Sequence, residues 1–94
     1  MNALGPLTRR QVFVRGRVQG VGYRWFVKEL AESMRLAGWV RNSEDGSVEL
    51  EVEGSTSSLD EFLRRLRTGN PSAKVSELVA LPVAPRGGNG FEIK

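Results

Sequence analysis

The sequence predicts an α+β sandwich, with two helices on one face of a mainly antiparallel sheet and a short fifth strand at its edge. Three observations lead to it. Two segments repeat apolar residues at helical spacing, one segment alternates apolar residues with glutamate, and an Asp-Gly pair joins two extended runs. At 94 residues the chain has room for one small domain built on a single core.

Residues 1–9, with Gly5 and Pro6 and little periodicity, read as a flexible leader ahead of a domain over 10–94. The first strand is expected from about Arg10 to Val18. The first helix follows from Tyr23 to Ala37, with Tyr23, Phe26, Val27, Leu30, Ala31, Met34 and Ala37 on one face and Gly38 as its stop. Asp45-Gly46 predicts a hairpin. In its second arm Val48, Leu50 and Val52 face one way and Glu49, Glu51 and Glu53 the other, as in a half-buried strand. The glutamates read as a solvated sheet face rather than paired catalytic carboxylates.

Ser58 to Glu61 resembles a capping box opening a second helix. Leu59, Phe62, Leu63 and Leu66 form its stripe, with Asp60 and Glu61 in the first turn and Arg64, Arg65 and Arg67 toward the end. The run TGNPS breaks it. A fourth strand, AKVSELVALPV, and a short last one, FEIK, are joined across APRGGNG. The order is β-α-β-β-α-β plus one strand, which is the ferredoxin-like arrangement.

That order has a consequence. Strands one and two run the same way with strand three between them, so their ends share one edge about 10 Å apart, twice the spacing of neighbours. Asn42, ending strand two, then faces the loop that carries Gly20, Gly22 and Arg24. Such a gap holds one tetrahedral oxyanion and a water. Arg24 in the first turn of a helix is locally unfavourable, by a few tenths to roughly 1 kcal/mol, because that end already carries partial positive charge. An anion would relieve it. Glycine-rich turns before helices also present converging N–H groups.

The glycines equally fit a tight strand-to-helix turn with Arg24 as surface charge, and Asn before a hairpin is commonly turn chemistry. Other phosphate motifs do not fit. The loop lacks the Lys and Ser/Thr of a P-loop, and Glu44 and Asp45, at the distance of a dinucleotide fingerprint, belong to a hairpin turn. Trp25 and Trp39 read as packing or partly exposed aromatics. Gly87, Gly88 and Gly90 read as a flexible connection.

Cysteine and histidine are absent. No disulfide, catalytic triad, Cys–His dyad or phosphohistidine is possible, and zinc chemistry is improbable. Any catalysis must rely on positioning, arginine, carboxylates, amides and backbone. A net charge of +3 leans weakly toward anionic partners. No apolar run approaches membrane-spanning length, and the expectation is a soluble, cytoplasmic, monomeric protein.

The stretch GRVQGVGYRWF resembles the first signature of the acylphosphatases, and GWVRNSEDGSVELEVEG resembles the second. The likeness continues through SSLDEFLRRLRTGNPSAKVSEL to FEIK and covers essentially all of the chain after the leader. It implies an enzyme hydrolysing small-molecule acyl phosphates to a carboxylate and inorganic phosphate, with no metal or cofactor. It places a phosphate cradle of backbone N–H groups on Arg17, Val18, Gln19, Gly20, Val21, Gly22 and Tyr23. The family's essential arginine falls on Arg24 and its water-positioning asparagine on Asn42.

Two other readings compete. RNA-recognition domains share this topology, but SVELEVEG sets glutamates where phosphates would approach, so no nucleic-acid partner is expected. A module of a larger maturation or carbamoyl-transfer enzyme would carry the same signature. A chain ending at Lys94 favours the free-standing form.

Overall fold

The computed structural model describes residues 7–94. Its elements are β1 (Leu7–Arg17), α1 (Tyr23–Ser33), β2 (Ala37–Asn42), β3 (Val48–Ser55), α2 (Thr56–Thr68), β4 (Lys74–Val83) and β5 (Phe91–Ile93). The sheet order is β4-β1-β3-β2-β5, antiparallel except for the β2–β5 pair. This is the ferredoxin-like α+β sandwich, with β3 between β1 and β2. β1 starts opposite Ser55, so Leu7 to Arg9 belong to the sheet and not to a leader. The rest of the expected leader, 1–6, lies outside the described residues.

The core lies between sheet and helices. Val12, Val14, Val48, Leu50 and Val52 from the strands meet Val27 and Ala31 of α1 and Leu59, Phe62 and Leu66 of α2. All are essentially inaccessible to water. Each large apolar side chain buried in this way contributes about 1.5–3 kcal/mol. The alternation in β3 works because Val48, Leu50 and Val52 point at the helices.

The sequence reading misses one boundary of each helix, the end of α1 and the start of α2. α1 stops at Ser33 and not at Ala37. The N–H of Leu36 donates to the carbonyl of Ala31 at 2.9 Å and that of Arg35 to Glu32 at 3.1 Å, the paired bonds of a Schellman motif. Arg35 takes the left-handed conformation there, φ 58°, where glycine is usual. The bend sends Leu36 into the core. Gly38 is instead a β2 residue whose missing Cβ matters, since one built there would sit 1.9 Å from the Glu51 carbonyl oxygen. α2 opens three residues earlier than the capping box suggested. Ser55 is the N-cap, its Oγ accepting from the N–H of Ser58, and no acidic residue lies in the first turn. Glu61 sits one turn in and pairs with Arg64 and Arg65.

The glutamate face of β3 is not solvated. Glu49 and Glu53 are buried, and Arg9 of β1, only 4% exposed, bonds Glu51 at 2.7 Å and Glu53 at 3.1 Å. Gln11 and Arg41 hold Glu49 from either side. Glu53 also accepts the N–H groups of Arg86 and Gly87, fastening the connection between β4 and β5 to the sheet.

Candidate active site

The loop after β1 is anchored by Val18, which is buried in the core. Gly20 and Gly22 then take φ of 75° and 76°, where a residue with a Cβ is disfavoured by roughly 1–2 kcal/mol. Gly22 is the N-cap of α1 and supplies no capping side chain. The first N–H groups of an α-helix have no partner within it, and here no side chain caps them. Arg24 stands in that same turn, with no acidic residue beside it. Partial positive charge, unpartnered donors and a guanidinium thus gather at one helix end.

Asn42 is the last residue of β2 and is exposed, opposite Val48 of β3. The hairpin behind it is rigid. Ser43 donates its N–H to the Ser47 carbonyl at 2.9 Å, and Asp45 Oδ1 accepts both the hydroxyl and the N–H of Ser47. Those bonds push the Asp45 carboxyl down to about 2, aided by Arg15 at 3.1 Å.

A cavity of about 220 Å³ lies between loop and strand end. It brings together six of the residues expected from sequence: Val18, Gly20, Gly22, Tyr23, Arg24 and Asn42. Arg17, Gln19 and Val21 do not line it. Gln19 does something else: its side-chain Nε2 donates to the carbonyls of Ser43 and Ser47, each at 2.8 Å, tying the loop to the hairpin of Asn42. The Tyr23 ring is buried and its hydroxyl donates to the Leu66 carbonyl at 2.9 Å. Burial raises that phenol well above its ordinary value, so it stays a neutral core group. Its main chain is what Tyr23 can offer a ligand. Arg24 Nη1 lies 3.5 Å from the Lys94 carbonyl oxygen, a marginal contact that leaves the guanidinium free to engage an anion.

Trp25 and Ile93 complete the lining and were missed from sequence. The usable signal was that Trp25 falls off the apolar stripe of α1 and yet adjoins Arg24. A larger cavity, about 400 Å³, opens at the other end of α1 beside Arg35, Leu36 and Gly54. It contains neither Arg24 nor Asn42. The smaller one unites a helix N-terminus, an arginine and an amide, and is the better oxyanion site despite its size.

A family model for acylphosphatase matches residues 10–93. The acylphosphatase of Moorella thermoacetica is 46% identical over 88 residues, covering 94% of this chain and 95% of that protein. That of Trichormus variabilis is 43% identical over 88 residues, covering 94% and 87%. Among solved structures, the acylphosphatase from Bacillus subtilis superposes with a TM-score of 0.87 at 38% identity, covering 95% of this chain and 99% of the other. Full-length HypF contains a similar unit, with a TM-score of 0.88 and 31% identity over 95% of this chain but 12% of HypF. The chain belongs to the acylphosphatase family, enzymes that hydrolyse acyl phosphates.

Proposed function

We propose that the cavity between the first loop and Asn42 is the catalytic site, and that it works by positioning alone. One observation carries this reading: left-handed glycines, an uncapped helix start, Arg24 and Asn42 all line one cavity. The main-chain N–H groups of the loop residues that line it, Val18, Gly20, Gly22 and Tyr23, and the planar fork of Arg24 bind the phosphoryl oxygens. Asn42 holds the attacking water in line with the bond to be broken.

The chemistry asks for little more. An acyl phosphate expels a carboxylate, whose conjugate acid has a pKa of about 4, so no general acid is needed to protonate the leaving oxygen. Water attacks phosphorus, the P–O bond to the acyl group breaks, and the bonding pair leaves on the carboxylate. The amide of Asn42 is too weak a base to take the water proton, which passes to a phosphoryl oxygen. What remains is charge neutralisation and alignment, both supplied by the site. No step calls for a metal. The reading extends to a monomeric cytoplasmic enzyme with no nucleic-acid partner. The last of these is supported by the face of β3 away from the helices, where Glu49, Glu51 and Glu53 are tied up by Arg9, Gln11 and Arg41 and present no aromatic ring for a base to stack on.

The test is benzoyl phosphate hydrolysis at neutral pH in EDTA. The wild type should turn over unimpaired. Arg24→Lys, which keeps the charge but loses the fork, should fall roughly 10²–10³-fold. Near-normal turnover by Arg24→Lys, or loss of wild-type activity in EDTA, would count against the reading.

A further inference from the structure

An exposed tryptophan on its own needs no explanation. Trp25 is not on its own. It is 56% exposed, the most exposed large apolar side chain among the described residues, and it lines the same cavity as Arg24. Among the described residues no aromatic ring packs on its indole and no cation sits over it, whereas Trp39 has Arg41 and Lys94 over its ring. The buried side chains of α1 are Tyr23, Val27 and Ala31, so the helix packs without it. Ile93 of β5, half-buried, is the other apolar side chain at this cavity that is not wholly committed to the core.

A phosphoryl group has no use for an apolar wall. The substrate has another part, the acyl group, which must extend from the phosphoryl toward solvent. We infer that Trp25, with Ile93, forms the contact surface for that acyl group, and that the enzyme selects aromatic or bulky apolar acyl phosphates over acetyl phosphate. The inference rests on the phosphoryl site proposed above and names its substrate class. Aromatic rings supply large apolar area with few rotatable bonds to immobilise, so an indole is suited to the task.

The experiment compares benzoyl and acetyl phosphate on wild type, Trp25→Ala, Trp25→Phe and Arg24→Ala, with inhibition by inorganic phosphate measured on each. The wild type should prefer benzoyl phosphate in kcat/KM. Trp25→Ala should lose about tenfold or more on benzoyl phosphate, mostly in KM, because a single methylene in an apolar pocket is already worth about 10–200-fold. Its acetyl phosphate turnover and its inhibition by phosphate should stay within about twofold of wild type, since neither ligand reaches the ring. Trp25→Phe should recover most of the loss. Equal effects of Trp25→Ala on both substrates, or none on either, would overturn the acyl-contact role while leaving the phosphoryl site intact. Undiminished phosphate inhibition and turnover in Arg24→Ala would overturn the phosphoryl site and this inference with it.

Discussion

Gln19 donates from its side-chain amide to the carbonyl oxygen of Ser43 at 2.8 Å, and Ser43 follows Asn42 directly in the chain. The residue in the middle of the loop after β1 thus ties that loop to the opposite wall of the cavity. Its second bond, to the Ser47 carbonyl at the same distance, holds both sides of the hairpin. Gln19 is a positioning residue in this arrangement. Gln19→Ala should cost about 1–2 kcal/mol of stability, from two part-buried hydrogen bonds. It should also lower kcat far more than the affinity for phosphate, because the water and not the anion is displaced. Denaturant unfolding together with a kcat and phosphate-inhibition pair checks both effects.

Gly22 shows how loop and helix share a residue. Nothing lies within 4 Å of a Cβ built there, so the obstacle to a side chain is its φ of 76° alone. Gly22→Ala should fold, lose about 1–2 kcal/mol and still bind phosphate. Gly38→Ala is the contrast, since its Cβ would strike the Glu51 carbonyl and force β2 from β3. It should fail to give a cooperative unfolding transition under conditions where Gly22→Ala does.

Glu53 links acid sensitivity to the long connection before β5. Burial raises its carboxyl, but the N–H of Arg86, the Arg9 guanidinium and the N–H of Gly87 outweigh burial and hold it below 4.5. A carboxyl depressed in the folded state contributes stability above its unfolded value and loses it as pH falls through the folded one. Stability should therefore drop below about pH 4.5, as the unfolded chain takes up the proton first. Glu53→Gln should flatten that slope and cost about 1.5–3 kcal/mol at pH 7, the worth of hydrogen bonds to a charged group. Urea midpoints between pH 3 and 7 measure both.

Arg35 offers a gain. It is exposed and held at φ 58° only because the Schellman motif needs a left-handed residue there. Arg35→Gly should raise stability by up to about 1 kcal/mol, read as a few degrees in Tm.

Much of this fold is legible in the sequence because its signals are local. The alternation of β3, the stripes of both helices and the Asp45-Gly46 turn each declare themselves within a dozen residues. The convergence of the glycine loop and Asn42 follows from strand order alone. The misreadings come from longer range or from choice among equals. The run Ser55 to Ser58 offers several possible N-caps, and the N-cap falls on Ser55, where β3 ends opposite Leu7 of β1. Gly38 looked like a helix stop, but the turn is made at Arg35, where the gain is the burial of Leu36. Alternation marks Glu49, Glu51 and Glu53 as facing away from the helices. It cannot say that Arg9, some 40 positions distant, lies across them. Gln19 carried the family's cradle expectation, and its clamp across 24 and 28 positions is invisible to any local pattern.

The most direct measurement of the positioning mechanism sets Asn42→Ala against Arg24→Ala, reading benzoyl phosphate turnover and inhibition by inorganic phosphate for each. The expected result is a split. Arg24→Ala should lose both, while Asn42→Ala should lose about 10²-fold or more in turnover and keep its affinity for phosphate. Turnover near wild type in Asn42→Ala, or phosphate binding undiminished in Arg24→Ala, would contradict it.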